Sequence, residues 1–294
     1  MQQISFVGLG NMGLPMALRL QAAGYHVRGF DASPAARAAA ADRGLSVVDS
    51  VGDAAPATDV LILMLPTSAN VELVLVEDGV LELLPQGATV VDMGSSNPME
   101  TRRLASVAAG RSRVLVDAPV SGGVGGARAG TLTIMVGGES GDVEPLRPLL
   151  DAMGSQVRHV GPVGAGHALK ALNNLLSATH LLVSSEALLV GHEFGLDYEA
   201  MLDVINTSSG RSGSTEAKWP KFVLPGTYDS GFSLALMAKD MRIAVGLAEA
   251  LGWDTALADA ATALWSRAAE EMSAEADHTA IVEWLKQGHG IHLP

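Results

Sequence analysis

Lys170 is the residue of this 294-residue chain that is best placed for acid–base chemistry. It lies near the start of a long helical pattern, and Asn173 and Asn174 follow at a spacing that lets both amides share its face of the helix. A lysine near a helix N-terminus that is partly removed from water should have a lowered pKa and exchange a proton near neutral pH. We therefore predict that Lys170 is a general acid–base. The alternative is an ordinary surface lysine at a helix start.

The glycine-rich segment Gly8–Gly13 predicts a dinucleotide site. It follows the apolar strand pattern Ile4–Val7 and precedes a helical pattern. In such a segment Gly8 makes the tight turn, Gly10 lets the backbone approach a pyrophosphate, and Gly13 lets helix and strand pack closely. The free N–H groups at the helix start would face the phosphates. A plain glycine turn is the alternative.

Asp31 ends the second strand pattern, close to the expected spacing of about 20 residues past the glycines. A carboxylate at this point can accept hydrogen bonds from both ribose hydroxyls and would repel a 2′-phosphate. Asp31 therefore predicts NAD as the cofactor. Arg28, on the strand before it, leaves some use of NADP open.

Other residues that follow strand patterns are expected near the same site. Ligands of an open parallel sheet bind outside the carboxyl ends of the strands, which is where Leu65, Pro66, Asn70 and Ser95 fall. Taken singly, these could be ordinary turn residues.

Ser121, Gly122 and Gly123 follow another strand pattern with one hydroxyl and a bare backbone. Exposed N–H groups of that kind can form a nest for an anion such as a carboxylate. The alternative is a loop that is rich in glycine for flexibility. Lys239 and Asp240 form an isolated charge pair on an amphipathic helical pattern, which by itself is typical of a solvated surface.

Composition narrows the class of protein. The net charge of −13 argues against a nucleic-acid surface, because phosphate binding needs clustered lysine and arginine. The chain has no cysteine, which removes disulfides, thiolate nucleophiles and cysteine metal sites, and is compatible with a reducing cytoplasm. No signal-like N-terminus is expected, since the first strand begins at once, and the apolar runs are too short to span a bilayer.

Strand and helix patterns alternate through the first half of the chain, and the second half is nearly all helical. We therefore predict an α/β protein with an N-terminal doubly wound, mostly parallel sheet in residues 1–163. An all-α domain is expected in residues 164–294, joined to the first by a long interdomain helix from His167 to about Phe194. The strand patterns are Ile4–Val7, His26–Phe30, Val60–Leu65, Thr89–Val91, Val114–Val116 and Leu132–Val136. The helical patterns between them are Asn11–Ala23, Pro34–Arg43, Asn70–Leu75, Pro98–Ala109 and Gly141–Ala152.

Four ordered motifs resemble one family. They are Gly8–Met16, Asp117–Gly123, Gly164–Asn174 and Met237–Asp240, and they occur in the order seen in the β-hydroxyacid dehydrogenases. The chain is most similar to the 3-hydroxyisobutyrate dehydrogenase branch, and the resemblance covers nearly its whole length.

The resemblance implies a Rossmann domain, an all-helical second domain that carries substrate and oligomer contacts, and a homodimer or homotetramer. It implies Lys170 as proton donor and acceptor, with Asn174 as a contact of the substrate and of that lysine. It implies a substrate carboxylate on Ser121, Gly122 and Gly123, and Lys239 beside both nicotinamide and substrate. The cofactor contacts that it implies are Asn11, Met12, Leu65, Pro66, Asn70 and Ser95, with the glycines and Asp31.

Two positions refine the resemblance. Members that prefer NADP carry Asn-Arg where this chain has Asp31 and Ala32, so the match is with the NAD-preferring type. His278 stands where many relatives have Phe or Tyr, in a segment near the substrate. A histidine there would make the pocket more polar and suggests a substrate such as a sugar acid or a hydroxy amino acid.

The predicted function is reversible transfer of a hydride between NAD and the hydroxyl-bearing carbon of a small 3-hydroxy acid, with Lys170 as acid–base and no metal. An NADPH-dependent semialdehyde or glyoxylate reductase is the alternative that keeps the lysine, and Asp31 counts against it. An imine reductase would lack the lysine. A non-catalytic nucleotide-binding relative would be expected to have lost the lysine and gained basic segments.

Overall fold

The computed structural model describes residues 2–288. Its contacts divide the chain into two compact units, Met1–Lys170 and Ala171–Pro294. The sequence pattern puts the boundary between residues 163 and 164, a little earlier along the chain.

The first unit is built on one sheet. Its strands are β1 (Gln3–Val7), β2 (His26–Phe30), β3 (Ser46–Val47), β4 (Val60–Leu63), β5 (Thr89–Asp92), β6 (Val114–Asp117), β7 (Val120–Ser121), β8 (Leu132–Gly137) and β9 (Gly154–Gly161). Their order across the sheet is β3-β2-β1-β4-β5-β6-β8-β7, and β9 pairs with β8. Strands β1 to β6 are parallel, whereas β8 runs antiparallel to both β6 and β7. The predicted α/β class with a mostly parallel sheet is confirmed.

Helices cover both faces of this sheet. They are α1 (Gly13–Ala22), α2 (Pro34–Asp42), α3 (Val51–Ala54), α4 (Ser68–Glu72), α5 (Val80–Leu83), α6 (Pro98–Ala109), α7 (Gly123–Ala129), α8 (Ser140–Val143) and α9 (Arg147–Asp151). In the central strand β4, Ile62 packs into the core on one face, while Leu61 and Leu63 pack into the core on the other. Burial on both faces explains why this strand is an unbroken apolar run and not an alternating one.

The second unit is helical. Helix α10 (Ala165–Glu193) begins in the first unit and continues into the second, where α11 (Tyr198–Asn206), α12 (Leu234–Ala250), α13 (Ala256–Glu271) and α14 (Ile281–Gly288) follow. A π-helical segment, Ser214–Val223, was not predicted. The core of the second unit includes the fully buried Trp219 and Trp265. Within residues 2–288, none of the helices has the length and apolar composition needed to cross a bilayer.

The parallel strands end in register at one edge of the sheet. Val7 pairs with Phe30 and with Leu63, Leu63 pairs with Asp92, and Asp92 pairs with Asp117. The segments that follow these five residues therefore emerge at the same edge, which is the usual ligand-binding edge of an open parallel sheet.

Candidate functional site

The glycine turn after β1 is packed tightly at two positions and open at a third. A Cβ on Gly8 would lie 2.3 Å from the carbonyl oxygen of Met64, and one on Gly13 would lie 1.8 Å from that of Gly8. Gly10 is exposed, and a Cβ there would meet nothing within 4 Å. Two of the glycines are thus required by packing, while the third leaves space beside the backbone.

Helix α1 begins at this turn without a side-chain cap. Met12 occupies the N-cap position and no side chain of the described residues accepts a bond from the helix start. By contrast, Ser33, Thr67 and Asn97 cap helices α2, α4 and α6. At the start of α1, Leu14 donates to the carbonyl of Gly10 and Met16 to that of Met12, and Pro15 has no N–H. The N–H of Gly13, beside the exposed Asn11, is left for an anion at a helix end that carries partial positive charge.

Asp31 follows β2, and its carboxylate is held by the backbone on both oxygens. Oδ2 accepts a hydrogen bond from the N–H of Leu9 over 2.7 Å, and Oδ1 accepts one from the N–H of Ser33 over 2.8 Å. These bonds fix a negative charge beside the glycine turn at the carboxyl edge of the sheet. The geometry suits a carboxylate that accepts hydrogen bonds from ribose hydroxyls.

Two arginines lie close to this carboxylate in sequence. Arg28 donates to the carbonyls of Ala54 and Pro56, so its guanidinium is engaged by the backbone around α3. Arg37 donates to the backbone carbonyl of Asp31 over 2.7 Å. Arg37, which was not among the predicted site residues, is therefore the cation next to Asp31.

The remaining predicted cofactor contacts of the first unit follow strands β4 and β5. Leu65 is half-buried and Pro66 is exposed after β4. Asn70 lies in the first turn of α4, where its Oδ1 accepts a bond from the hydroxyl of Thr67 over 2.7 Å. Ser95 is half-buried after β5. The ends of β4 and β5 are in register, so these residues lie on the same edge as the glycine turn.

A buried polar centre that the sequence did not reveal lies behind this edge. Asp92 and Asp117 end β5 and β6, and His167 lies in the first turn of α10; all three are almost fully buried. Nε2 of His167 lies 3.8 Å from Oδ2 of Asp92, and its Nδ1 is 2.8 Å from the hydroxyl of Thr101. Asp92 in turn accepts the hydroxyl of Ser96 over 2.7 Å. The one sequence feature that points to this centre is an aspartate at the end of each of two apolar strands.

Asp117 holds the start of the helix that carries Lys170. Its Oδ1 accepts the N–H of Gly164 over 2.6 Å, and its Oδ2 accepts the N–H of His167 over 2.8 Å. Burial raises the pKa of Asp117, against the opposing effects of His167 and of these N–H groups. Lys170 follows on α10 and is only 9% exposed. The alternative interpretation, an ordinary surface lysine, does not agree with this burial.

The Ser121–Gly123 segment lies between β7 and α7. Ser121 is half-buried and pairs with Thr133 of β8. Gly122 and Gly123 are exposed and have φ angles of 129° and 62°, which only glycine adopts readily. No side chain of the described residues caps α7. The segment therefore presents bare N–H groups, as an anion nest requires.

In the second unit a buried carboxylate links Asn174 with Lys239. Nδ2 of Asn174 donates to Oδ2 of Asp240 over 2.6 Å, and Nζ of Lys239 lies 3.1 Å from Oδ1 of the same residue. Since a carboxylate only accepts, this bond assigns the amide orientation, so Oδ1 of Asn174 is the acceptor of this side chain. Oδ1 accepts a bond of 3.3 Å from Nδ2 of Asn173 and has a second lone pair. Asp240 was treated as half of a surface pair in the sequence, yet it is only 1% exposed.

Two family models match the chain. The model described as the NAD binding domain of 6-phosphogluconate dehydrogenase matches residues 3–161. The model described as NAD-binding of NADP-dependent 3-hydroxyisobutyrate dehydrogenase matches residues 164–285. Nicotinamide dinucleotide-binding domains are therefore present, and the two descriptions differ over NAD and NADP.

Known proteins are similar over most of the chain. The 2-(hydroxymethyl)glutarate dehydrogenase of Eubacterium barkeri is 42% identical over 83% of this chain and 81% of its own length. The NAD-dependent L-serine dehydrogenase of Pseudomonas aeruginosa is 38% identical over 96% of this chain and 97% of its own. The structure of Mycobacterium tuberculosis 3-hydroxyisobutyrate dehydrogenase with L-serine superposes with a TM-score of 0.91 at 34% identity, covering 97% of this chain and 99% of that one.

Proposed function

Because the chain belongs to the β-hydroxyacid dehydrogenase family, we propose that it oxidises the primary hydroxyl of a small 3-hydroxy acid to an aldehyde, reversibly, with NAD. The enzyme is an oxidoreductase of that family. The substrate, the choice of NAD over NADP and the roles of individual residues are the proposal.

The substrates named for the relatives share one chemical unit. 3-Hydroxyisobutyrate, L-serine and 2-(hydroxymethyl)glutarate all contain a hydroxymethyl group on a carbon that also bears a carboxylate. They differ only in the third substituent of that carbon, which is a methyl, an ammonium or a carboxyethyl group. We propose that this chain acts on the shared unit, and that its own pocket residues select the third substituent.

The described residues fit a nicotinamide dinucleotide. The uncapped start of α1 and the open space beside Gly10 suit a pyrophosphate, and the fixed carboxylate of Asp31 suits a ribose diol. We assign Asn11, Met12, Leu65, Pro66, Asn70, Ser95 and Lys239 as further contacts. When bound, the cofactor supplies the hydride acceptor. Asp31 favours NAD, because its charge would repel a 2′-phosphate.

Different residues of the chain bind the substrate and transfer its proton. The N–H groups at Gly122 and Gly123, with the hydroxyl of Ser121, hold the substrate carboxylate. Lys170, in its neutral form, accepts the hydroxyl proton while the carbon gives up its hydride, so the hydroxymethyl group becomes an aldehyde. Oδ1 of Asn174, one helical turn from Lys170, accepts a hydrogen bond from the hydroxyl or from the protonated lysine.

One observation carries this proposal above the others. Lys170 is buried in a helix whose first turn is fixed by the carboxylate that ends β6. Its position is therefore set by the sheet edge to which we assign the cofactor. A lysine without a chemical role would be expected to reach solvent.

The direct test is formation of NADH, followed by absorbance, with the three acids that share the hydroxymethyl unit. We expect turnover of at least one, and a higher kcat/KM with NAD than with NADP. L-Lactate, a 2-hydroxy acid, is the control and should not react. Absence of turnover with all three acids and either cofactor would overturn the proposal.

We further propose that the protein is a cytoplasmic homodimer or homotetramer. Leu172, Leu176, Val183 and Val190 of α10 are exposed apolar side chains, and an exposed apolar face of this kind is typical of a surface that another subunit covers. The cysteine-free composition suits a reducing compartment. Light scattering of the purified protein distinguishes these states from a monomer.

A further inference from the structure

The buried centre of Asp92, Asp117 and His167 sets two acidic groups against one imidazole. The two aspartates end neighbouring strands and pair with each other in the sheet. The imidazole of His167 lies beside both: its Nε2 is 3.8 Å from Oδ2 of Asp92, and its Nδ1 is 3.9 Å from Oδ2 of Asp117. All three residues belong to the first unit and are almost fully buried. The charge of the centre therefore depends on the protons that His167 carries.

Both carboxylates accept hydrogen bonds on both oxygens, as ionised groups do. Oδ1 of Asp92 accepts the N–H of Gly94 over 3.0 Å, and its Oδ2 accepts the hydroxyl of Ser96 over 2.7 Å. Asp117 accepts two backbone N–H groups at the start of α10. Burial raises the pKa of Asp117, and the charge of His167 is the largest effect that opposes it. Two buried negative charges without a counter-ion would repel each other and lower stability.

The hydrogen bonds of Thr101 place one proton on Nδ1 of His167. The hydroxyl of Thr101 has a single hydrogen, which it donates to the carbonyl of Asn97 over 3.0 Å. Toward Nδ1 of His167, 2.8 Å away, the oxygen of Thr101 is therefore the acceptor and Nδ1 is the donor. Nδ1 carries a proton whether the ring is neutral or charged.

The other ring nitrogen, Nε2, decides the charge of His167. It is buried and has no hydrogen-bond partner in the described part of the chain, and it faces Oδ2 of Asp92. Without a proton, its lone pair would be directed toward the lone pairs of a carboxylate, which is a repulsive contact. With a proton, the same contact joins opposite charges in a buried place, where such an attraction is strongest. The geometry therefore favours the imidazolium, with a proton on each nitrogen.

Each of the two carboxylates fixes a segment to which the proposed function assigns a task. Asp92 binds the residues on either side of Ser95, which we assign as a cofactor contact. Asp117 binds the first turn of the helix that carries Lys170. A cation between the two carboxylates offsets their repulsion and so holds these two segments together. Without it, the segments that carry Ser95 and Lys170 would be pushed apart.

We propose that His167 is a positioning residue whose imidazolium charge holds the Ser95 segment and the Lys170 helix at the separation that turnover requires. The role in turnover rests on the proposed function, because it uses the assigned tasks of Ser95 and Lys170. The charge of His167 follows from the buried centre alone and can be tested without a substrate.

The test removes the cation and then one of the carboxylates. His167→Gln leaves two buried charges of the same sign, and should lower the melting temperature by several degrees and kcat/KM for the best hydroxymethyl acid at least tenfold. Adding Asp92→Asn removes one of those charges and keeps its bonds, because the amide oxygen can accept from Gly94 and the amide nitrogen can donate to Ser96. The double variant should therefore melt higher than His167→Gln and recover kcat/KM at least threefold.

Control variants separate charge from packing. Asp42→Asn, at an exposed aspartate of α2, should give no recovery when it is added to His167→Gln. His26→Gln, at an exposed histidine of β2, should keep kcat/KM within twofold of wild type. If His167 acted only by filling space or by its bond to Thr101, the losses in His167→Gln and Asp92→Asn would add, and the double variant would be the worst of the three.

The charge itself is measured by nuclear magnetic resonance of protein labelled with ¹⁵N in the histidine rings. At neutral pH, both ring nitrogens of His167 should carry a proton. Its signals are identified by their loss in His167→Gln and by their shift in Thr101→Val, which removes the acceptor of Nδ1. A ring with one protonated nitrogen would overturn the inference.

The outcomes distinguish this inference from the proposed function. If the wild-type enzyme oxidises one of the three acids and Asp92→Asn restores neither the melting temperature nor kcat/KM of His167→Gln, the inference is wrong while the proposed function stands. If the wild-type enzyme oxidises none of the acids, the proposed function and the role of His167 in turnover both fail, whereas the two protons on its ring and the recovered melting temperature would still show its charge.

Discussion

The backbone N–H of His167 donates a hydrogen bond of 2.8 Å to Oδ2 of Asp117, and so fastens the first turn of α10 to the end of β6. The N–H of Gly164 binds the other carboxylate oxygen. A side chain from a distant strand thus caps the helix start, where donors are otherwise unsatisfied. Through this cap the sheet sets the position of Lys170.

Asp117→Ala should destabilise the first unit. The substitution leaves two buried N–H groups without acceptors, which costs about 3 kcal/mol in the free energy of unfolding. Asp117→Asn should cost less, because the amide carbonyl can still accept one of the bonds. Urea-induced unfolding measures both variants. The exposed Asp42→Ala is the matched control and should change stability by less than about 0.5 kcal/mol; equal stability of Asp117→Ala and Asp42→Ala would contradict this role of Asp117.

Two glycines of the same turn should respond differently to alanine. Gly13→Ala places a Cβ 1.8 Å from a backbone oxygen, so the melting temperature should fall by several degrees. Gly10→Ala meets no protein atom within 4 Å and should leave the melting temperature nearly unchanged. If the pyrophosphate approaches at Gly10, however, this variant should weaken NADH binding at least tenfold in a fluorescence titration. Unchanged NADH affinity of a folded Gly10→Ala protein would place the phosphates elsewhere.

Asp31→Asn should shift the cofactor preference toward NADP. Loss of the negative charge removes the repulsion of a 2′-phosphate and weakens the hold on the ribose diol, so the ratio of kcat/KM for NAD over NADP should fall at least tenfold. Arg37 borders this position, and the gain for NADP should shrink when Arg37→Ala is added. If Asp31→Asn left the ratio of kcat/KM for NAD over NADP unchanged, Asp31 would not be the residue that selects NAD.

The stability of the second unit should decrease in mild acid because of His278. Burial and the nearby charge of Lys218 hold the pKa of His278 at about 4, below its usual 6.5. Between those two pH values the unfolded chain binds a proton at this residue that the folded chain does not. The free energy of unfolding should therefore fall by about 2 kcal/mol between pH 7 and pH 5.

Urea-induced unfolding at the two pH values measures this loss. His278→Gln removes the titrating group and should flatten the pH dependence by that amount. His180→Gln, at an exposed histidine on α10, should keep the wild-type dependence. An unaltered pH dependence in His278→Gln would contradict the assignment.

Local patterns predicted much of the first unit. Strands β2 and β4 and helix α6 were recognised because apolar runs and periodicity are properties of neighbouring residues. Helix α6 matched its predicted bounds, Pro98–Ala109, since Asn97 caps it and Pro98 fits its first position. Strand β9 was missed: its burial pattern is mostly exposed and half-buried, so it lacks the apolar signal.

Hydrogen bonds between residues that are distant along the chain could not be predicted from the sequence. The bonds of Asp117 to Gly164 and His167, and of Lys218 to Ser177, join residues about 40 to 50 positions apart. In the sequence, a polar residue at a strand end cannot be distinguished from an ordinary turn residue, because its hydrogen-bond partner comes close only in the folded chain. The π-helical segment that carries Lys218 was also missed, because Pro220 within it argues against a helix.

The central claim is that Lys170 exchanges the proton of the substrate hydroxyl, and Lys170→Met tests it most directly. The measurement is kcat/KM for the best of the three hydroxymethyl acids, together with the NADH dissociation constant of the same preparation. A general acid–base contributes about 10²- to 10⁴-fold, so kcat/KM should fall at least a hundredfold while the NADH dissociation constant stays within twofold. A variant that binds NADH and keeps kcat/KM within tenfold of wild type would contradict the claim.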